Sequence, residues 1–170
     1  MGDSALRNRS VAIIGSFKQH NDEVQRVCTA LRDAGIRITS PRGDELVKPG
    51  IDFVRFHTDN PRWSDPAIQC LALHRILKAD LVYVVVPGGY IGRTTCYEVG
   101  RIIQSRRPIY FSEMPLDLPL RVPEQYILDM VALVARVADN AWYPSWLFEN
   151  DLDHTSALER DLMEGRFRDE

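Results

Sequence analysis

Glu98 is the carboxylate of this sequence that is best placed for catalysis. It follows an apolar run at 81–86 and a loop at 87–92 that contains three glycines, and it stands near the start of a predicted helix. Glycines let backbone N–H groups approach a ligand closely, and a helix N-terminus attracts anions. A carboxylate in the first turns of such a helix would lie beside the ligand and could attack it as a nucleophile.

A structural interpretation of Glu98 is also open. Thr95 and Glu98 have the spacing of a capping box, in which Thr95 caps the helix and the glutamate accepts a hydrogen bond from the backbone N–H of the cap residue. The residue pattern by itself fits this cap, whereas the glycine loop and the buried run favour catalysis. Both interpretations therefore remain at this point.

The predicted ligand-binding residues lie in two turns that follow buried strands and in one long loop. They are Gly15, Ser16, Phe17, Arg42, Gly88, Gly89, Tyr90, Gly92, Arg93, Thr94 and Thr95. Exposed amides, hydroxyls and guanidinium groups of this kind suit a phosphate through charge-assisted hydrogen bonds, so we expect a ligand that carries a phosphate to be preferred over its neutral counterpart. The alternatives are that the threonines only cap the helix, that the aromatic rings cover the edge of the core, and that Arg93 faces solvent.

Two further side chains are candidates for chemistry. His74 lies on the helix that leads into the central strand and could be a second catalytic group or a structural histidine. Cys96 is close to a helix N-terminus, which can activate a thiol, but no histidine partner is evident and a buried cysteine fits better.

The elements that position these residues alternate between strands and helices. Apolar runs predict strands at 11–14, 36–39, 81–86 and 107–112, and the first and third runs lack polar alternation, as in strands buried on both faces. We predict helices from Asn21 to Gly35, from Ser64 to about Ala79, from Thr94 onward, and from Pro123, where Ile127, Met130, Val131, Val134 and Val137 form a buried stripe. The expected fold is α/β, a doubly wound and mostly parallel sheet of four to five strands with helices on both faces, Rossmann-like or flavodoxin-like, with its ligand crevice at the carboxyl ends of the strands.

The remaining segments divide the chain into three regions. We predict a flexible lead at 1–10, an α/β ligand-binding domain at 11–140, and an aromatic, then acidic helical, extension at 141–170. Residues 40–64 form either a lid with ligand-binding arginines, which would add Arg55 and Arg62 to Arg42, or a solvated loop. Trp142, Tyr143, Trp146 and Phe148 predict a homo-oligomer, most simply a dimer, because aromatic residues are favoured in interface cores.

Composition excludes several classes of function. The 170 residues carry a net charge of −3, which gives no basic footprint for duplex nucleic acid. Neither a signal peptide nor an apolar run of membrane-spanning length is evident, so we expect a cytoplasmic protein without membrane partners. The three cysteines are too widely spaced to indicate a disulfide framework or a zinc site, and neither a metal nor a cofactor is predicted.

Over residues 11–112 the chain resembles the nucleoside 2-deoxyribosyltransferase superfamily. The resemblance is carried by Gly15-Ser16-Phe17, by the loop Pro87-Gly-Gly-Tyr-Ile-Gly92, and by Tyr97-Glu-Val-Gly-Arg101, which is similar to the nucleoside 5′-monophosphate N-glycosidase branch. It implies an oligomeric α/β protein that hydrolyses or transfers at the N-glycosidic bond of a nucleoside or its 5′-monophosphate, with Glu98 at the position of the catalytic glutamate.

The sequence departs from that family at its other acidic positions. Ala72 stands where the family has an aspartate on the preceding helix, with His74 nearby, and Gly92 and Arg93 stand where it has a loop acid. The departure allows a non-catalytic nucleotide sensor on the same fold. A second resemblance, of Pro87-Gly-Gly, Thr94-Thr95 and Glu98 to the lysine-decarboxylase-like phosphoribohydrolases, implies cleavage of the same type of bond, although the loop here is longer.

Overall fold

The computed structural model describes residues 9–43, 46–47, 54–150 and 153–167. Within them, the strands are β1 (Ser10–Gly15), β2 (Arg37–Ser40), β3 (Leu81–Val85) and β4 (Ile109–Phe111). The α-helices are α1 (Phe17–Asp33), α2 (Asp65–Leu77), α3 (Arg93–Gln104), α4 (Met130–Ala138) and α5 (His154–Met163). Residues 1–8 of the predicted lead and residues 44–45 and 48–53 of the predicted lid lie outside the described residues.

The strands form one parallel sheet in the order β2-β1-β3-β4. Val11 pairs with Leu81 and Gly15 pairs with Val85, so β1 and β3 end side by side. The chain runs outward from β1 to β2 and then crosses back to β3, which makes the junction of β1 and β3 the switch point of the sheet. The predicted fold class, a doubly wound parallel α/β sheet, is confirmed with four strands.

Helices cover both faces of the sheet. Right-handed crossovers place α1 on one face and α2 and α3 on the other, and the contacts of α1 with α4 and of α2 with α3 agree with this. Every residue of β1 and β3 is buried, as their uninterrupted apolar runs predict. The carboxyl ends of these two strands are thus held rigidly between two helical layers.

The start of α1 differs from the prediction. The helix begins at Phe17 with Ser16 in the N-cap position, and His20 has non-helical angles (φ −130°, ψ 29°) immediately before Asn21. The Asn21 side chain accepts a hydrogen bond from Gln25 (3.3 Å) instead of capping the helix. The Phe17 ring packs edge-on against Phe56 with centroids 5.1 Å apart, a contact distant in sequence that anchors the extra first turn.

The predicted helix at Pro123 is largely wrong. A short 3₁₀ turn at Glu124–Tyr126 is followed by extended backbone, and α4 begins only at Met130, where the Asp129 side chain accepts a hydrogen bond from the N–H of Ala132 (2.7 Å). The delay lets Tyr126 enter the core and Leu128 N–H bond to the Phe111 carbonyl. Leu133 and Val137 are buried, whereas Met130 and Val131 of the predicted stripe are exposed.

The aromatic segment after α4 packs on its own chain. Trp146 and Phe148 are buried, and the Trp146 indole donates a hydrogen bond to the Ile103 carbonyl (3.1 Å). These two rings are therefore core residues and not interface residues, which contradicts their predicted role, and Tyr143 is the exposed ring of the group. A homo-oligomer stays a prediction.

Arg9 ties this segment to the start of the sheet. Its guanidinium donates hydrogen bonds to the carbonyls of Asp139 (2.8 Å), Val137 (3.4 Å) and Trp142, and it lies 5.7 Å from the Trp142 ring centre. Arg9 is buried and Ser10 begins β1, so the last two residues of the predicted lead belong to the folded domain.

Among the described helices, none is both long enough and apolar enough to cross a membrane.

Candidate functional site

A cavity of about 350 Å³ opens at the switch point of the sheet. The end of β1 contributes Ile13, Ile14 and Gly15, and the first turns of α1 and α3 and one side of α2 form the walls. Phe56 and Thr58 of the long loop complete the lining. Ligand sites in proteins typically have volumes of about 300–1,000 Å³, so the cavity is large enough for a small metabolite.

Glu98 lies in the wall of this cavity. Its residue surface is 6% exposed, and its Oε1 accepts a hydrogen bond of 2.8 Å from the side-chain amide of Gln69 on α2. Burial raises the pKa of the Glu98 carboxyl from 4.5 to about 7, against the smaller lowering effect of the Gln69 hydrogen bond. A carboxyl with this pKa can be present in either protonation state near neutral pH, as acid–base and nucleophilic catalysis require.

The capping-box interpretation of Glu98 is wrong. Gly92, in extended conformation (φ −70°, ψ 165°), is the N-cap of α3, so Thr95 lies inside the first turn and is not the cap. The Glu98 carboxylate pairs with Gln69 of another helix. Because the helix starts at Arg93, Glu98 is carried into its second turn, where its side chain reaches the cavity.

The first turns of α1 and α3 converge beside the cavity. A Cβ atom placed on Gly92 would lie 3.6 Å from Ser16 Oγ and 3.7 Å from the Tyr90 hydroxyl, so both hydroxyls lie close to the unsubstituted face of this glycine. The N-terminus of α3 carries a partial positive charge, and the Ser16 hydroxyl lies beside it. This space can hold an anion.

Most predicted binding residues line the cavity, and two do not. Those that line it are Gly15, Ser16, Phe17, Arg42, Tyr90, Gly92, Arg93, Thr94 and Thr95. Gly88 N–H bonds to the Glu113 carboxylate (3.1 Å), and Gly89 N–H bonds to the Val86 carbonyl (2.9 Å). These two glycines have φ values of 64° and 76°, so they shape the loop instead of binding a ligand in the cavity. The backbone N–H groups of this loop that a ligand could use begin at Gly92.

The two other candidates for chemistry, His74 and Cys96, lie in surroundings that do not suit a catalytic role. His74 is exposed and is not part of the cavity lining, which on α2 consists of Ile68, Gln69, Ala72, Arg75 and Ile76. The angular step of 100° per residue turns His74 away from the face that carries Gln69 and Ala72. Cys96 is half-buried, and burial followed by the charge of Asp117 raises the pKa of its thiol, which disfavours the thiolate.

Of the three predicted ligand-binding arginines of the long loop, one lines the cavity and two do not. Arg42 lines the cavity, whereas the Arg55 guanidinium pairs with Asp65 and also bonds to the Trp63 carbonyl (2.7 Å). Arg62 is exposed and is not part of the lining. The expectation that all three arginines serve the ligand is therefore wrong for Arg55 and Arg62.

Among the described residues, sequence reasoning missed seven polar residues of the cavity: Lys18, Gln19, Ser40, Thr58, Asp59, Gln69 and Arg75. Burial and then the positive charge of Arg42 lower the pKa of Arg75, while the Asp59 carboxylate opposes this, so the three charges interact. The spacing of Gln69, Ala72 and Ile76 marks one helix face, but only the packing of α2 against α3 identifies this face as the cavity wall.

Neither protein-family models nor curated proteins provide a match to this chain.

Proposed function

We propose that this protein is an enzyme that cleaves the N-glycosidic bond of a nucleoside 5′-monophosphate or nucleoside, with Glu98 as the nucleophile. The observation that carries the proposal is the Glu98 carboxyl, buried at the wall of a metabolite-sized cavity with the Gln69 amide as its hydrogen-bond donor. An acid in this environment is costly for a fold to keep, which favours a chemical role over a structural one.

In the proposed reaction the ionised Glu98 attacks the anomeric carbon of the sugar. A C1′–O ester bond forms as the C1′–N bond breaks, and the base leaves with the electron pair of that bond and takes a proton from water. Water then attacks C1′, returns the carboxylate and releases the sugar phosphate. The net reaction consumes one water, whereas a nucleoside acceptor in its place would make the protein a transferase.

Gln69 acts in this scheme as a positioning residue. Its amide holds one oxygen of the Glu98 carboxylate at 2.8 Å, which fixes the rotamer and favours the ionised form. The same contact ties α3 to α2, so the nucleophile is held between two helices and not at the end of a mobile side chain.

The expected 5′-phosphate site is the space between the first turns of α1 and α3. Ser16, Thr94 and Arg93 line the cavity there, and the backbone at Gly92 is open to close approach. An anion in this place would be stabilised by the N-terminus of α3, by the Ser16 and Thr94 hydroxyls and by the Arg93 guanidinium. This arrangement supports a preference for monophosphates over nucleosides.

The second candidate is a nucleotide sensor without catalysis. It is favoured by the wall of α2, where Ala72 presents a methyl group at the position that carries an aspartate in the family that the sequence resembles. Among the described lining residues the other carboxylate is Asp59, and its Oδ2 is engaged by the N–H of Phe56 (2.8 Å).

A panel of nucleosides and nucleoside 5′-monophosphates separates the two functions. The full chain is incubated with each compound, and chromatography measures the free base. We expect base release, faster at subsaturating concentration with a monophosphate than with its nucleoside. Saturable binding throughout the panel without any free base would favour the sensor. Equal rates for a nucleoside and its monophosphate would remove the phosphate site from the account.

A further inference from the structure

The described lining of the cavity is more basic than the chain as a whole. Among the described residues, Lys18, Arg42, Arg75 and Arg93 line it together with two acids, Asp59 and Glu98, although the chain has a net charge of −3. Such a concentration of cations in a concave site favours ligands with more than one negative charge.

The cations occupy two different sides of the cavity. Arg93 belongs to the first turn of α3, near the junction of β1 and β3. Arg42 follows β2, on the other side of β1, and Arg75 lies on α2. Arg75 is six residues beyond Gln69, which corresponds to about 9 Å along the helix axis. Gln69 contacts Glu98, so the nucleophile lies beside one end of this stretch of α2 and the Arg75 backbone lies at the other end.

Arg42 and Arg75 also repel each other. The charge of Arg42 disfavours the protonated state of the half-buried Arg75, and the negative charge of Asp59 favours it. An anionic ligand placed between them would relieve this repulsion and accept charge-assisted hydrogen bonds from both.

From this cluster at the cavity wall, we infer that Arg42 and Arg75 form a subsite for an acidic group on the leaving base. The inference rests on the proposed function, since Glu98 must attack C1′, the sugar carbon that carries the base, whereas the phosphate is on C5′ at the other end of the sugar. With the phosphate at the first turns of α1 and α3, a group that reaches Arg75 belongs to the base. The substrate class is thus a nucleoside monophosphate whose base carries a carboxylate.

The test compares the equilibrium binding of two isosteric ligands to the full chain. Nicotinate mononucleotide and nicotinamide mononucleotide differ in one group, a carboxylate in the first and a neutral amide in the second. We expect the carboxylate to improve affinity by about tenfold or more in the wild type, as is typical for an added ionic hydrogen bond. Arg75→Met should reduce this ratio to near one, and Arg42→Met should lower it. Each variant is compared with itself, so a change in the folded fraction cancels.

A second ligand pair tests where the second charge resides. Adenosine 3′,5′-bisphosphate should bind no more tightly than adenosine 5′-monophosphate, because its extra phosphate is on the sugar. A gain with the bisphosphate and none with the nicotinate ligand would overturn the inference, as would a carboxylate gain that survives Arg75→Met.

Binding and base release separate this inference from the proposed function. The predicted affinity ratio without any base release would support the subsite and overturn the enzyme assignment. Base release from nucleotides, with no gain in binding affinity from the carboxylate, would support the enzyme assignment and overturn the subsite.

Discussion

Glu98 and Arg9 are both buried ionisable side chains, and their surroundings differ in kind. The Arg9 guanidinium donates to backbone carbonyls in the last turn of α4 and just after it, and lies against the Trp142 and Tyr143 rings, with centroids at 5.7 and 5.9 Å. Glu98 has the Gln69 amide as its recorded hydrogen-bond partner within the described part of the chain, and it borders a cavity.

The difference distinguishes a structural charge from a candidate functional one. Burial costs a charged group its hydration, and a dense set of partners compensates Arg9 for this loss. The hydrogen bond from Gln69 compensates Glu98 only in part for its lost hydration, and burial raises the pKa of its carboxyl to about 7. A fold that keeps such an acid beside a cavity leaves space for a ligand to complete its interactions.

The largest expected effect is on turnover. Glu98→Gln keeps the size of the side chain and an oxygen that can accept from Gln69, but it removes the nucleophile. Base release should fall by at least the roughly 10²–10⁴-fold that is typical for loss of a catalytic acid–base group. Chromatography of the free base, normalised to folded protein, measures this. Turnover that survives in Glu98→Gln would place Glu98 with Arg9 among the structural charges.

The pH dependence of stability is the next largest effect. Burial raises the pKa of the Glu98 carboxyl to about 7 in the folded chain, against 4.5 for an unperturbed glutamate. A raised pKa stabilises the folded state below the unfolded value, and this contribution is lost as pH rises through about 7. Relative to Glu98→Gln, the wild-type free energy of unfolding should therefore fall by about 3 kcal/mol between pH 4.5 and 8. Denaturant titrations at several pH values measure it, and parallel pH profiles for the two proteins would refute the raised pKa.

Arg9 should affect stability and not chemistry. Arg9→Met retains much of the apolar stem but leaves the carbonyls of Val137, Asp139 and Trp142 without their donor. We expect the free energy of unfolding to fall by about 2–3 kcal/mol, with turnover per folded molecule unchanged. Arg9→Lys is the matched control, since it keeps the charge and loses the planar fork. A large loss of turnover at unchanged stability would break the contrast with Glu98.

His74 should give the smallest effect. It is exposed on α2 and lies outside the cavity lining, so His74→Ala should change stability by less than about 0.5 kcal/mol and leave base release unchanged. A Michaelis–Menten comparison with the wild type tests this. A drop in kcat beyond tenfold would return His74 to the catalytic machinery.

The sequence predicts the strands and turns that surround this site better than the contacts of the side chains within it. The apolar runs that become β1 and β3 are continuous, and glycines mark the turns after them, so the fold class and the place of the cavity follow from local pattern. Gly35, with φ 74°, ends α1 where the pattern places it.

The errors arise where distant contacts decide. Phe56 anchors the first turn of α1, and burial of Tyr126 delays α4 to Met130, although Pro123 and Glu124 form a plausible helix start. The partners of Glu98 and Arg9 come from other elements, and a lone arginine before a strand resembles a flexible terminus. Local patterns contain no information on such contacts.

The most direct test of the central claim is to trap the sugar on Glu98. Trypsin cleaves after Arg93 and Arg101, so Glu98 lies in the peptide 94–101 as its only acidic side chain. The full chain is mixed with a 2′-deoxy-2′-fluoro analogue of the best nucleoside monophosphate, quenched in acid and digested, and the peptide is analysed by mass spectrometry. We predict the added mass of one fluorinated sugar phosphate, located by fragmentation on Glu98 and absent in Glu98→Gln. Two results would contradict the account. One is a burst of free base while the peptide 94–101 stays unmodified, and the other is a label on a residue other than Glu98.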